Sequence, residues 1–282
     1  MKEEYDHFSD NLKFLLEWTE EQKGKISEIN YADNDVRKDY FRLSYTNVYH
    51  YYIGYFSLFA SKSFGDELIR FDKSLFGFKS HINRFIEISL FDQLSKGNFN
   101  ILNQRVFVFA WSIFELSLST FFSAVVDDDE LQALLEYDYA DVLKCVTIKE
   151  GKEGRLKALL IKNNIAHISI NRKYNLLFKK VKGYSRSIKY DKEFLEFFGK
   201  LRNTMHSNFI YFGKDYEYRF GDAHFIFRDN REVVWIDPFE NGYVPAVRLY
   251  TYLIGQLNLI FFEISRCIPF EPFIPYPDTE AE

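Results

Sequence analysis

Proline is confined to one end of this chain. All six, Pro238, Pro245, Pro269, Pro272, Pro275 and Pro277, fall in the last 45 of 282 residues. Inside a helix, proline removes a backbone donor and clashes with the preceding turn, so a long stretch without it admits long helices. The apolar spacing predicts helices over 35–61, 64–95, 100–126, 130–145, 153–163, 171–182, 190–207 and 244–267. The prolines from 269 onward predict an extended tail over 269–282. The first thirty residues spread their charges throughout and lack the basic start and apolar run of a signal peptide.

One stretch breaks the helical pattern. Residues 216–236 are rich in aromatic and β-branched side chains, with turn signals at Gly221-Asp222 and Asp229-Asn230. They predict a small antiparallel meander of two or three strands, inserted between two helices. The expected fold class is therefore all-α, a multi-helix bundle forming a single domain over 1–282, with a β insertion near 216–236.

Composition narrows the class without naming a function. Hydrophobic residues at 47% and charged residues at 27% are ordinary for a globular protein. The aromatic share of 19% is high, and core packing in a chain rich in Phe and Tyr is the simplest reading. Two cysteines, Cys145 and Cys267, make neither a disulfide framework nor a metal cage, which suits a cytoplasmic location. Residues 106–126 carry a single charge, Glu115, and are long enough to span a bilayer. A central acid opposes insertion by roughly 2.5–3.5 kcal/mol, and five hydroxyl residues lower the hydropathy further. The central helix of a bundle, with no membrane partner, is the expectation. Glu115 then needs a cation or hydrogen-bond donors.

Charge is unevenly placed. Residues 144–192 hold 14 Lys and Arg against three acids, a net of +11 that leaves −16 on the rest of a chain whose total is −5. Such a segment suits a polyanion, with Tyr174, Tyr184 and Tyr190 among its cations suited to stacking on the bases of a single strand. Cations spread around helices and paired with the acidic remainder fit it equally well. The acidic run Asp127–Glu130 lacks the ligand spacing and glycine of a calcium loop, and fits the cap and first turn of a helix. No metal or cofactor is expected. His7, His50, His81, His167 and His224 have no companion at ligand spacing and read as surface or packed residues.

Leu201-Arg202-Asn203-Thr204-Met205-His206-Ser207-Asn208 carries the one local constellation with chemistry. On a helix, Phe194, Phe198, Leu201 and Met205 form the buried stripe, while Arg202 and His206 fall about 40° apart at its edge. A guanidinium suits a phosphate and an imidazole can exchange protons near neutral pH. On spacing alone, an Arg–His pair that merely finishes a helix, satisfying carbonyls and neighbouring acids, is the favoured reading.

This motif, late in a helical chain, resembles the signature of HEPN-domain proteins. The likeness covers about residues 100–268. Three residues separate Arg202 from His206, one fewer than the family's shortest spacing. It implies a helical bundle, commonly a homodimer, and metal-independent ribonuclease activity of the toxin–antitoxin, abortive-infection and antiviral-defence type. Arg202 would then stabilise the scissile phosphate and His206 act as general acid or base. Asn203 would orient the phosphate or hold the histidine, Asn208 assist near the helix end, and Glu115 fix Arg202. RNA would approach over 144–192, with an antitoxin or effector as a further partner. The alternative within the same likeness is a non-catalytic binding or dimerisation module, such as an antitoxin, scaffold or nucleotide sensor.

Overall fold

The computed structural model describes residues 2–71, 93–127, 129–131, 133–134, 168–236 and 247–277. Among the described residues, six long or medium helices and five short strands are present. These are α1 (Lys2–Glu28), α2 (Val36–Phe71), α3 (Gln93–Val125), α4 (Ile170–Lys180) and α5 (Ile188–His206), then α6 (Val247–Cys267) after the strands. The strands are β1 (Ile210–Tyr211), β2 (Tyr216–Phe220), β3 (Ala223–Phe227), β4 (Arg231–Glu232) and β5 (Val234–Ile236).

The helical reading stands in outline and changes in detail. Helix α2 runs unbroken from Val36 to Phe71, where two helices divided at 62–63 were expected. The intervening Ser-Lys-Ser and Gly65 weaken a helix by no more than about 1 kcal/mol per residue, too little to end one without a proline. Helix α1 was not anticipated. Its charges mask an apolar stripe in which Leu15 and Trp18 are buried and Leu12 and Phe14 pack beside them. The expected helix at 153–163, and most of that at 130–145, lie outside the described residues.

Helix starts follow local chemistry. Asp127 and Glu130 form a reciprocal capping box: the amide of Glu130 donates to Asp127 Oδ1 at 2.9 Å and that of Asp127 to Glu130 Oε2 at 3.3 Å. Ser187 caps α5 by accepting from the amide of Tyr190. Within apolar α3, Ser112, Thr120 and Ser123 donate back to carbonyls one turn earlier, so their hydroxyls need no outside partner.

The core is built largely from aromatic rings. Phe107 of α3 stacks on Phe198 of α5 at 3.9 Å between centroids, with Trp111 alongside. Tyr40 of α2 lies 4.1 Å from Phe261 of α6. Its hydroxyl donates to the buried Asn258, which also accepts from Ser44. Phe114 and Phe121 of α3 are fully buried. Burial of such rings supplies most of the apolar free energy available to a helical core. Helix α3 holds the one stretch among the described residues that is long and apolar enough to cross a membrane, and 56% of that window is buried within the fold.

Strands β2, β3 and β5 form an antiparallel meander in that order, and β1 pairs with β4 as a separate ribbon. Phe220 faces Ala223 across a two-residue turn, with Gly221 at φ +55° in the left-handed region that glycine occupies freely. Ala223, Phe225 and Phe227 point inward at alternate positions. Phe197 of α5 stacks on Tyr218 at 4.2 Å and meets Phe225 at 4.7 Å, so the sheet is fastened to the helix that carries the Arg–His motif.

Residues 269–277 of the proline-rich tail are free of helix, and they are fastened too. Arg37, 2% exposed, donates to both oxygens of Asp35 and to the carbonyls of Phe270 and Pro272. The amide of Val36 donates to Ile274 O at 2.8 Å, and Asp35 bridges to Pro275.

Candidate functional site

Helix α5 ends at His206, and an unusual turn ends it. The amides of Ser207 and Phe209 both donate to Thr204 O, at 2.9 and 2.7 Å. Asn208 and Phe209 follow with φ of +52° and +64°. Asparagine tolerates the left-handed region; for phenylalanine it is strained. The strain is held from outside, since Phe209 is buried against Trp235 and its carbonyl accepts from the amide of Val233. Asn208 thus has a conformational role at the helix end. Strained backbone of this kind gathers beside functional groups.

His206 is exposed and opens onto a cleft of about 640 Å³. Three helices frame this cleft: α2 with Asn47, His50 and Tyr51, α3 with Gln104, Arg105, Phe109 and Ser112, and α5 with Met205 and His206. Asn47 fixes the floor, because its side-chain amide donates to Val106 O at 2.7 Å and so ties α2 to α3. Phe109 stands 55% exposed at the mouth. Among the described residues, two imidazoles and one guanidinium line the cleft and no carboxylate does. Such a lining attracts anions. No group of three or more His, Cys, Asp or Glu suited to a metal occurs among the described residues.

The two motif residues, one turn apart on α5, differ in their surroundings. Arg202 does not line this cleft. Its Nη1 donates to Asn203 Oδ1 at 3.1 Å, and its enclosed Nε finds no partner among the described residues. A 40° difference around the helix becomes a difference of environment, because His206 stands at the open end of α5 and Arg202 a full turn inside it. Glu115 makes no ion pair with Arg202. It is half-buried, and the cation that feels it is Lys173 of α4. Burial lowers the Lys173 ammonium while Glu115 raises it, and the ammonium donates to Ser119, one turn beyond Glu115. His50, expected as a surface or packed histidine, and Arg105, given no role by the sequence, both line the cleft. Their signal was not spacing within one helix but the pairing of α2 with α3, which no local pattern encodes.

The expected RNA approach also looks different in three dimensions. Residues 144–167 of the basic segment lie outside the described residues. In the remainder, Lys180 pairs with Glu130, Arg186 with Asp191 and Lys189 with Glu193. Asp191 is fully buried and accepts from Arg186, Tyr184 and Gln256, which makes this cluster an internal fastening. Tyr174 is buried and Tyr184 is engaged by Asp191, leaving Tyr190 exposed.

A larger groove of about 1090 Å³ runs between α1, α2 and α6, lined by Trp18, Phe41, Tyr252, Leu259 and Phe262 among others. Its cations are already used: Arg266 by Glu263 and Lys25 by Glu21. Comparison with protein-family models, with curated proteins and with solved structures finds no match for this chain.

Proposed function

We propose that this chain is a metal-independent endoribonuclease, similar in its Arg–His motif to HEPN domains, with its reaction centred on the His206 cleft. One observation carries the reading: His206, at the strained end of α5, shares a cleft with Arg105, and no carboxylate lines it among the described residues. A phosphodiester bound there would meet the Arg105 guanidinium, whose fork of donors suits phosphate oxygens and the charge that develops on them. The exposed Phe109 ring offers a stacking surface for an adjoining base. His206 would take the proton from the ribose 2′-hydroxyl. The O2′–P bond then forms as the P–O5′ bond breaks, giving a 2′,3′-cyclic phosphate and a 5′-hydroxyl. The ribose supplies its own nucleophile, so no metal-bound water is required. Phage defence or a toxin–antitoxin system, with a homodimeric enzyme, is the setting the motif likeness suggests.

The position of Arg202 favours one second reading. A motif arginine away from the cleft fits a non-catalytic module that holds a nucleotide or RNA end in the same place. Incubation with end-labelled RNA in EDTA separates the two. The enzyme reading expects cleavage by the parent, loss with His206→Ala, and a fall of about 10²-fold or more with Arg105→Ala. Undiminished cleavage by His206→Ala would overturn it. Nucleotide binding without any cleavage by the parent would establish the module.

A further inference from the structure

The cleft holds a second imidazole that a one-histidine mechanism leaves idle. His50 is exposed on α2 and lines the same space as His206, which approaches from α5. The two helices are independent supports. Asn47, one turn before His50, is locked to Val106 O, and the Tyr49 ring lies 6.4 Å from the His50 ring. Among the described residues, the titratable and charged groups facing the cleft are His50 and Tyr51 of α2, Arg105 of α3 and His206 of α5. Among the described residues, no carboxylate lines the cleft beside either imidazole.

We propose that His50 is the general acid of this site, the partner of His206 as general base, so that the cleft performs two-histidine transesterification of RNA. The inference rests on the ribonuclease reading above. His206 accepts the proton of the 2′-hydroxyl as O2′–P forms. His50, entering as imidazolium, gives its proton to the departing 5′-oxygen as P–O5′ breaks. One proton leaves the substrate and one enters it, and no electron or metal is exchanged. The resting protonation states are restored by proton exchange between the two imidazoles and solvent.

The experiment uses two substrates of the full chain: a diribonucleotide, and a ribonucleoside 3′-(p-nitrophenyl phosphate) whose phenolate departs without a proton. The expected result for His50→Ala is a loss of about 10²-fold or more on the diribonucleotide, the range of a general acid, with the p-nitrophenyl ester cleaved at nearly the parental rate. The alkaline limb of the kcat profile should also vanish in that variant. His206→Ala should lose both substrates. Parental cleavage of the diribonucleotide by His50→Ala overturns the role of His50 and leaves the ribonuclease reading intact. Equal loss on both substrates overturns it as well, and makes His50 a binding residue. A parent that cleaves neither substrate removes the ribonuclease reading and this inference with it.

Discussion

Arg37 offers the sharpest test of how the tail is held. It is 2% exposed, makes a fork-to-fork pair with Asp35, lies over the Tyr31 ring at 4.0 Å, and holds two tail carbonyls. Asp35 is 1% exposed and also caps α2, accepting from the amide of Arg37 at 2.9 Å. Arg37→Met leaves that carboxylate buried with only backbone donors. Removing one partner of a buried ion pair costs about 3–5 kcal/mol. The carbonyls of Phe270 and Pro272 belong to half-buried and exposed residues and can turn to water, so they add little. With an unfolding entropy of about 2.1 cal/mol/K per residue, a loss of about 4 kcal/mol lowers Tm by about 7 °C. Denaturant titration of Arg37→Met, Asp35→Asn and the double variant measures the coupling. The double variant should be at least about 2 kcal/mol less damaging than the summed singles. Chymotrypsin should also cut at Phe270 and Phe273 faster in Arg37→Met, because the tail is released. Additive effects, or an Arg37→Met loss below about 1 kcal/mol, a value typical of exposed pairs, would refute the account of a buried latch.

Other consequences are as direct. Phe198→Ala removes a fully buried ring stacked between Phe107 and Trp111, and should cost about 3–5 kcal/mol in denaturant titration. Burial pushes the carboxyls of Asp35 and Glu263 up, but hydrogen bonds from Arg37 and Ile274, and from Arg266 and Ser185, outweigh it and hold both low. Their folded pKa values therefore lie below the unfolded ones near about 4, so their stabilisation is complete above about pH 4 and is lost as pH falls through the folded values. Melting measured from pH 6 to pH 2 should fall less steeply in Glu263→Gln than in the parent. At alkaline pH the sign reverses: burial, with the nearby Glu196 carboxylate, pushes the Tyr174 hydroxyl up to about 12. Absorbance titration should show that tyrosine ionising late, and stability falling as pH rises beyond about 10. Asn208→Gly should be tolerated within a few tenths of a kcal/mol while Asn208→Val costs about 1–2, because only the former accepts φ +52°.

Much of the architecture was legible because its causes are local. The absence of proline before 238 permits α2, α3 and α5, and the alternation of β3 with Gly221 at the turn produces the hairpin. The acidic run at 127–130 reads as a cap because a capping box spans only four residues. Helix α1 escaped notice because its stripe is narrow and charges interrupt it. The β1–β4 ribbon escaped because two-residue strands leave no periodicity to detect.

The candidate site divides along the same line. The sequence by itself determined that α5 ends in an Arg–His turn, that its other face is apolar, and that Asn208 accompanies the helix end. It also determined that four late prolines make an extended tail. The tertiary structure alone decided which groups meet His206. His50 and Arg105 lie 55 residues apart in the chain and reach one cleft because α2 packs on α3, with Asn47 bound to Val106 O. The structure likewise gave Glu115 the neighbouring Lys173 rather than Arg202. Periodicity assigns a side chain to a face of its own helix, whereas the partner on the opposing face is set by helix packing over long sequence separations.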